Sequence, residues 1–169
     1  MKKVLMALIV LFIGSISQLT AQLALGGGVA FTTNTNDVGV QLKSQYAFGS
    51  RWRAEASVDG YTTGQSRTFY GDFNLNGNFI YANSGNVELH AVLGGTVFFG
   101  STSNLGFVQK GSALGINAGT GMQFGINNQL KGYLDAIFTF TDYGHENVAN
   151  RFLFALGVIY EFNQSSIKK

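Results

Sequence analysis

The residues of this chain best equipped for acid–base chemistry are its two histidines, and each has an acidic companion close by in sequence. His90 stands two residues from Glu88, so it could shuttle a proton between the two. The plainer expectation is a histidine held by a hydrogen bond to a neighbouring carboxylate. His145 adjoins Glu146 in a polar segment, 142–149, and Ser101, Ser103 and Ser112 flank another, 100–111. Serine, histidine and acid brought together can make a hydrolase, but no nucleophile motif or fixed spacing joins these residues. Gly26-Gly27-Gly28 has neither the Lys-Ser/Thr nor the following helix of a phosphate loop, so it reads as strand packing. Cys is absent, which excludes disulfides, thiolate metal sites and cysteine nucleophiles. No catalytic residue, metal set or cofactor is therefore expected.

The elements that must carry these residues are short and alternate. Strands are predicted over 22–31, 38–48, 51–61, 67–81, 86–99, 112–126, 129–141 and 150–162. In the last, Phe152, Phe154, Leu156, Val158, Tyr160 and Phe162 share one face, and Arg151, Leu153, Ala155, Gly157, Ile159 and Glu161 the other. The third sets Trp52, Ala54, Ala56 and Val58 against Arg51, Arg53, Glu55, Ser57 and Asp59. The fourth sets Phe69, Phe73, Leu75, Phe79 and Tyr81 against Tyr70, Asp72, Asn74, Asn76 and Asn78. Throughout, one parity is apolar and uncharged while the other holds the charges. That pattern suits a closed sheet with its apolar face toward lipid and its polar face inward. The expected architecture is all-β, an eight-stranded antiparallel up-and-down transmembrane β-barrel.

Such a barrel encloses five basic residues (Lys43, Arg51, Arg53, Lys131, Arg151), six acidic ones (Glu55, Asp59, Asp72, Glu88, Asp135, Glu161) and His90. Near-balance of charge predicts a lumen network of ion pairs and hydrogen bonds. Eight strands leave an interior that side chains about fill, so an open pore is not expected. Inward glycines on strand six (Gly115, Gly119, Gly121, Gly125) and on strand one (Gly26, Gly28) make room for long polar neighbours.

Composition agrees. One domain is expected from 169 residues, with only 12% charged and no Pro, as a sheet without open edges would prefer. Residues 1–21 read as a cleaved signal peptide: Lys2 and Lys3, the apolar run Val4–Ile13, and a polar stretch to Ala21. Removing it leaves nine basic residues against nine acidic ones, and no basic run suited to nucleic acid. Residues 22–162 form the barrel and 163–169 a short polar tail.

Connections alternate in length. The segments 47–50, 82–85 and 126–128 are tight turns, whereas 32–37, 62–66, 100–111 and 142–149 are longer. Aromatic residues fall at the strand ends in two bands. Trp52, Tyr81, Tyr160 and Phe162 are interface aromatics on the short-turn side, and Phe31, Phe69, Phe99, Phe140 and Phe152 lie toward the long loops. On these features the chain resembles the small eight-stranded outer-membrane barrels, the family that includes OmpX and the transmembrane part of OmpA. Its last strand, ending Val158-Ile159-Tyr160-Glu161-Phe162, is similar to the aromatic-terminated signal that outer-membrane assembly machinery recognises in that family. It departs from the family in the residues that follow Phe162, and from OmpA in lacking a soluble C-terminal domain, so no peptidoglycan-anchoring role is carried over.

The resemblance implies a monomer in a Gram-negative outer membrane, with both termini in the periplasm. It also implies contact with outer-membrane lipid and lipopolysaccharide, assembly by the envelope machinery, and a protein partner at the extracellular loops. Arg67, Lys110 and Arg151 lie near the long-loop end, where lipopolysaccharide phosphates would be met, and Leu105, Phe107 and Val108 form an apolar trio in one loop. The expected role is non-enzymatic, structural or surface-interacting. Two alternatives are a lipid-modifying enzyme using His145 and a soluble lipocalin-like carrier with the strand parity reversed. Gel mobility separates the membrane barrel from the carrier at low cost. Detergent-extracted protein left unboiled should migrate differently from the boiled sample, and one unchanged band would count against the barrel.

Overall fold

Alternating apolar and polar residues fold this chain into a continuous antiparallel sheet that closes on itself. The computed structural model describes residues 22–33, 37–62, 69–100, 113–141 and 150–162. The expected signal peptide and tail, and the loop residues Arg67, Ser101, Ser103, Leu105, Phe107, Val108, Lys110, Ser112, His145 and Glu146, lie outside the described residues. The strands are β1 (Gln22–Thr32), β2 (Asp37–Ala47), β3 (Trp52–Thr62), β4 (Phe69–Ser84), β5 (Val87–Gly100), β6 (Ala113–Gly125), β7 (Leu130–Thr141) and β8 (Arg151–Phe162). Each pairs with its sequence neighbours, and β8 pairs with β1 to complete the barrel. Closure removes the edges at which unpaired backbone groups would face hydrocarbon.

The parity of every strand matches the expected direction. Leu42 and Leu114 are each 70% exposed on the outer face, whereas Asp59, Asp72, Asn78, His90 and Asn117 are 0% exposed. A protein dissolved in water would invert that distribution. The soluble-carrier alternative needed Trp52, Phe73 and Phe154 inside, and all three are exposed.

Turn chemistry sets the short-turn end. Gly49 and Gly85 adopt φ of 96° and 61°, the left-handed region in which a Cβ is strained. At the β6–β7 turn, Asn127 Oδ1 accepts from the backbone N–H groups of Gln129 (2.9 Å) and Leu130 (2.8 Å). Strand ends shift from expectation by up to three residues, and two of the shifts move side chains. β3 begins at Trp52, which leaves Arg51 exposed on the turn. β4 runs on to Ser84 through a β-bulge: Ile80 pairs with His90 and Ala82 with Leu89, so Tyr81 is an extra residue turned outward.

The interior is not uniformly polar. Ala24, Ala30, Ile137, Leu153, Ala155 and Ile159 on β1, β7 and β8 are buried among the charged residues, and Val92 of β5 and Tyr61 of β3 join the same apolar clusters. Tyr133 explains two of the inward glycines. In the register, Tyr133 lies opposite Gly157, Gly157 opposite Gly28, and Gly28 opposite Gln41. The Tyr133 side chain lies across both glycines and donates its hydroxyl to Gln41 Oε1 at 2.9 Å. A Cβ on Gly28 would stand 2.7 Å from that hydroxyl oxygen, and one on Gly157 2.6 Å, so neither strand has room for a side chain there.

The outward orientation makes a depth-dependent prediction. Leu156, halfway along β8 on the outer face, should cost about 2–4 kcal/mol when replaced by Arg. Val38→Arg, at the rim of β2, should cost about 0–1 kcal/mol. Denaturant midpoints of the barrel folded in lipid vesicles check both values; equal costs would contradict the placement.

Candidate functional site

The described polar chemistry is concentrated in the lumen, where three clusters follow one another from the short turns to the long loops. Alternation along each strand brings charged residues inward, and the barrel's width makes them meet across it. Nearest the short turns, Arg53 Nη2 lies 2.6 Å from Glu88 Oε2, and Arg53 Nη1 donates to Gln123. Lys131 Nζ lies 2.7 Å from Glu161 Oε1 and 3.6 Å from Glu88 Oε1. The side chains of Glu88, Lys131 and Glu161 are partly exposed, as expected at a mouth.

The middle cluster is buried. Lys43 Nζ is paired with Asp135 and stands 3.4 Å from Glu55 Oε2, with the Tyr133 ring centroid 4.2 Å away. Glu55 also accepts from Gln45 at 2.8 Å, Asn76 at 3.2 Å and Asn78 at 2.9 Å. A carboxylate removed from water is tolerable when it is surrounded by donors in this way. Nearest the long loops, Arg151 is paired with Asp72, and its guanidinium carbon stands 4.2 Å from the Phe98 ring centroid. Asn74 Nδ2 donates to Asp72 Oδ1 at 2.6 Å and Asp59 Oδ2 at 2.8 Å. Tyr70 donates to Asp37 at 2.8 Å.

Amides join the clusters into one network. Asn117 Nδ2 lies 2.9 Å from Asn74 Oδ1 and 3.1 Å from Asn76 Oδ1, and Gln123 donates to Gln45 at 2.8 Å. Glycine again makes the crossing possible. His90 (β5), Gly121 (β6) and Asp135 (β7) are successive partners in the register, and His90 Nε2 reaches Asp135 Oδ1 at 3.2 Å over the glycine. A Cβ on Gly121 would collide with both groups. Asn76, Gly94 and Asn117 repeat the arrangement across β4, β5 and β6.

The sequence-derived network residues Lys43, Arg53, Glu55, Asp59, Asp72, Glu88, His90, Lys131, Asp135, Arg151 and Glu161 all face inward. Arg51 does not. It precedes the first β3 rung, where its carbonyl accepts from the Ile80 N–H at 2.8 Å, and its side chain is exposed. His90 is bonded to Asp135 and not to its sequence neighbour Glu88. The charge-based reading missed Asp37, assigned to a loop, and Tyr133, whose inward parity on β7 was a usable signal. The interface aromatics Trp52, Tyr81, Tyr160 and Phe162 are all exposed on the outer face. Trp52 packs on Phe79 with ring centroids 4.8 Å apart, and Tyr160 on Phe162 at 5.1 Å. At the opposite rim Phe138, Phe140, Phe152 and Phe154 form a second aromatic group.

This arrangement offers little to a substrate. His90 is fully buried, its Nε2 meets a carboxylate, and its Nδ1 has no protein partner. Among the described residues, no group of three or more His, Cys, Asp or Glu could hold a metal ion.

No family model matches the sequence, and no curated protein matches it. Solved structures do. The N-terminal β-barrel domain of OprF from Pseudomonas aeruginosa superposes with a TM-score of 0.66 at 11% identity, covering 85% of this chain and 98% of that one. A major outer membrane protein from Thermus thermophilus gives 0.63 at 14% identity, over 84% and 99%. Ail, the attachment invasion locus protein of Yersinia pestis, gives 0.54 at 17% identity, over 84% and 97%. The chain has the fold of the eight-stranded outer-membrane β-barrels.

Proposed function

We propose that the protein is a monomeric integral barrel of a Gram-negative outer membrane, with a closed lumen and a structural or surface-interaction role. The observation that carries this reading is the cross-barrel pairing at three depths. Arg53–Glu88 joins β3 to β5, Lys43–Asp135 joins β2 to β7, and Arg151–Asp72 joins β8 to β4. Side chains that join non-neighbouring strands occupy the path an ion would take, and separating them would leave a buried charge without its partner. The apolar outer face and its two aromatic rims supply the membrane anchorage, with outer-membrane lipid and lipopolysaccharide as its surroundings.

The short turns and both ends of the barrel strand sequence then face the periplasm, and the longer connections face outward. The final Tyr160-Glu161-Phe162 would be read by the assembly machinery, and a protein partner would be met at the long-loop end. Ail, which shares the fold, is by name an attachment and invasion protein, and this favours a surface role. The role is non-enzymatic, because the described lumen holds its one histidine away from any accessible nucleophile.

Two measurements test the reading. Purified protein in a planar lipid bilayer should give no stepwise ionic current, and reproducible single-channel steps would overturn the closed lumen. Cells carrying His145→Ala should make lipid A of unchanged structure while the wild-type gene, overexpressed, also leaves it unchanged. A wild-type modification lost in the variant would restore the enzymatic alternative.

A further inference from the structure

Among the described residues, cations are scarce in the part of the lumen nearest the long loops. Asp59 and Asp72 lie directly opposite one another on β3 and β4, and both are 0% exposed. Arg151 of β8 is paired with Asp72. The buried cation of the middle cluster, Lys43 of β2, is already held by Asp135 and Glu55. Asn74 donates one amide nitrogen to Asp59 Oδ2 and Asp72 Oδ1, and Asp59 Oδ1 has no protein partner. Of the remaining titratable groups facing Asp59, Tyr61 lies on its own strand and Tyr133 on β7, and neither brings a positive charge. Two ionised carboxylates at a cross-strand separation, bridged by one amide and with one guanidinium to share, repel each other.

We propose that Asp59 and Asp72 hold one proton between them, so that the pair carries a single negative charge balanced by Arg151. Proton occupancy of this pair then ties barrel stability to pH. In the unfolded chain an ordinary carboxyl group loses its proton at about pH 4. If the folded barrel retains that proton above this point, stability is greatest on the acid side and declines as the pH rises, until the pair releases it. Asparagine at position 59 keeps the shape and hydrogen-bonding capacity of a protonated carboxyl and removes this dependence.

The test uses the full barrel folded in detergent, with the temperature at which the folded gel band converts to the unfolded one measured from pH 4 to pH 9. Asp59→Asn should match wild type near pH 4 and exceed it at pH 8 by on the order of 5 °C. Asp72→Asn should fall below wild type at neutral pH by on the order of 10 °C, because Arg151 loses its partner. Wild type at neutral pH should also show, by infrared difference spectroscopy, the carbonyl stretch of a protonated carboxyl that Asp59→Asn lacks. A gap between Asp59→Asn and wild type that does not change with pH would overturn the proposal, as would an Asp59→Asn protein that fails to fold or a spectrum without that band. Stabilisation of wild type by sodium but not by choline, absent in Asp59→Asn, would also overturn it by assigning the balancing charge to a bound cation.

Discussion

The narrowness of a lumen closed by eight strands is the constraint on which the rest of this structure depends. At this strand number the interior is about as wide as the side chains that point into it. Every inward residue must therefore either reach a partner or make way for one. This protein does both in registered rows that pass from strand to strand: a long polar residue, a glycine, then the long residue's partner. His90–Gly121–Asp135 and Asn76–Gly94–Asn117 each span three strands, and Tyr133–Gly157–Gly28–Gln41 spans four. In each row the glycine gives up packing of its own so that its neighbours can meet above the backbone.

The same width accounts for the electrostatics. Charges enclosed by lipid and backbone have little access to water, and their burial is tolerable only with partners in contact. Lys43 meets Asp135 and Glu55, Arg53 meets Glu88, and Arg151 meets Asp72 while resting on Phe98. Apolar residues among the inward positions of β1, β7 and β8 reduce the number of groups that need such partners. Amide side chains on β2, β4 and β6 link the polar groups into one network. Rigidity follows from this arrangement, since Lys43–Asp135, Arg53–Glu88 and Arg151–Asp72 each join strands that are not neighbours.

The outside obeys a simpler rule. Lipid-facing positions need only be apolar, and the hydroxyls of Ser44 and Thr120, midway along their strands, are engaged: Ser44 donates to the Ala56 carbonyl at 3.4 Å, and Thr120 to the His90 carbonyl at 3.0 Å. Tyr81, turned outward by its bulge, lies 3.3 Å from the Thr120 hydroxyl. A polar group that can bond to the barrel's own backbone is compatible with hydrocarbon, whereas a free charge is not.

Strand number, parity and the side that faces lipid could be read from the residue pattern, because alternation is a local property with a period of two. Phe152 through Phe162 and Arg53 through Asp59 declare it without any knowledge of neighbours. Local reasoning failed where a choice depended on a boundary or on register. Arg51 shares the parity of Arg53 but precedes the first rung of β3, so it lies on the turn in water. Glu88 is the acid nearest His90 in sequence, yet residues two apart on a strand stand roughly 7 Å from each other, beyond a hydrogen bond. Asp135, 45 residues away, reaches the imidazole over Gly121. The sequence by itself thus determined which residues share the interior. Only the closed barrel decided which of them touch, because those distances are set by the stagger between strands and by the space each glycine leaves.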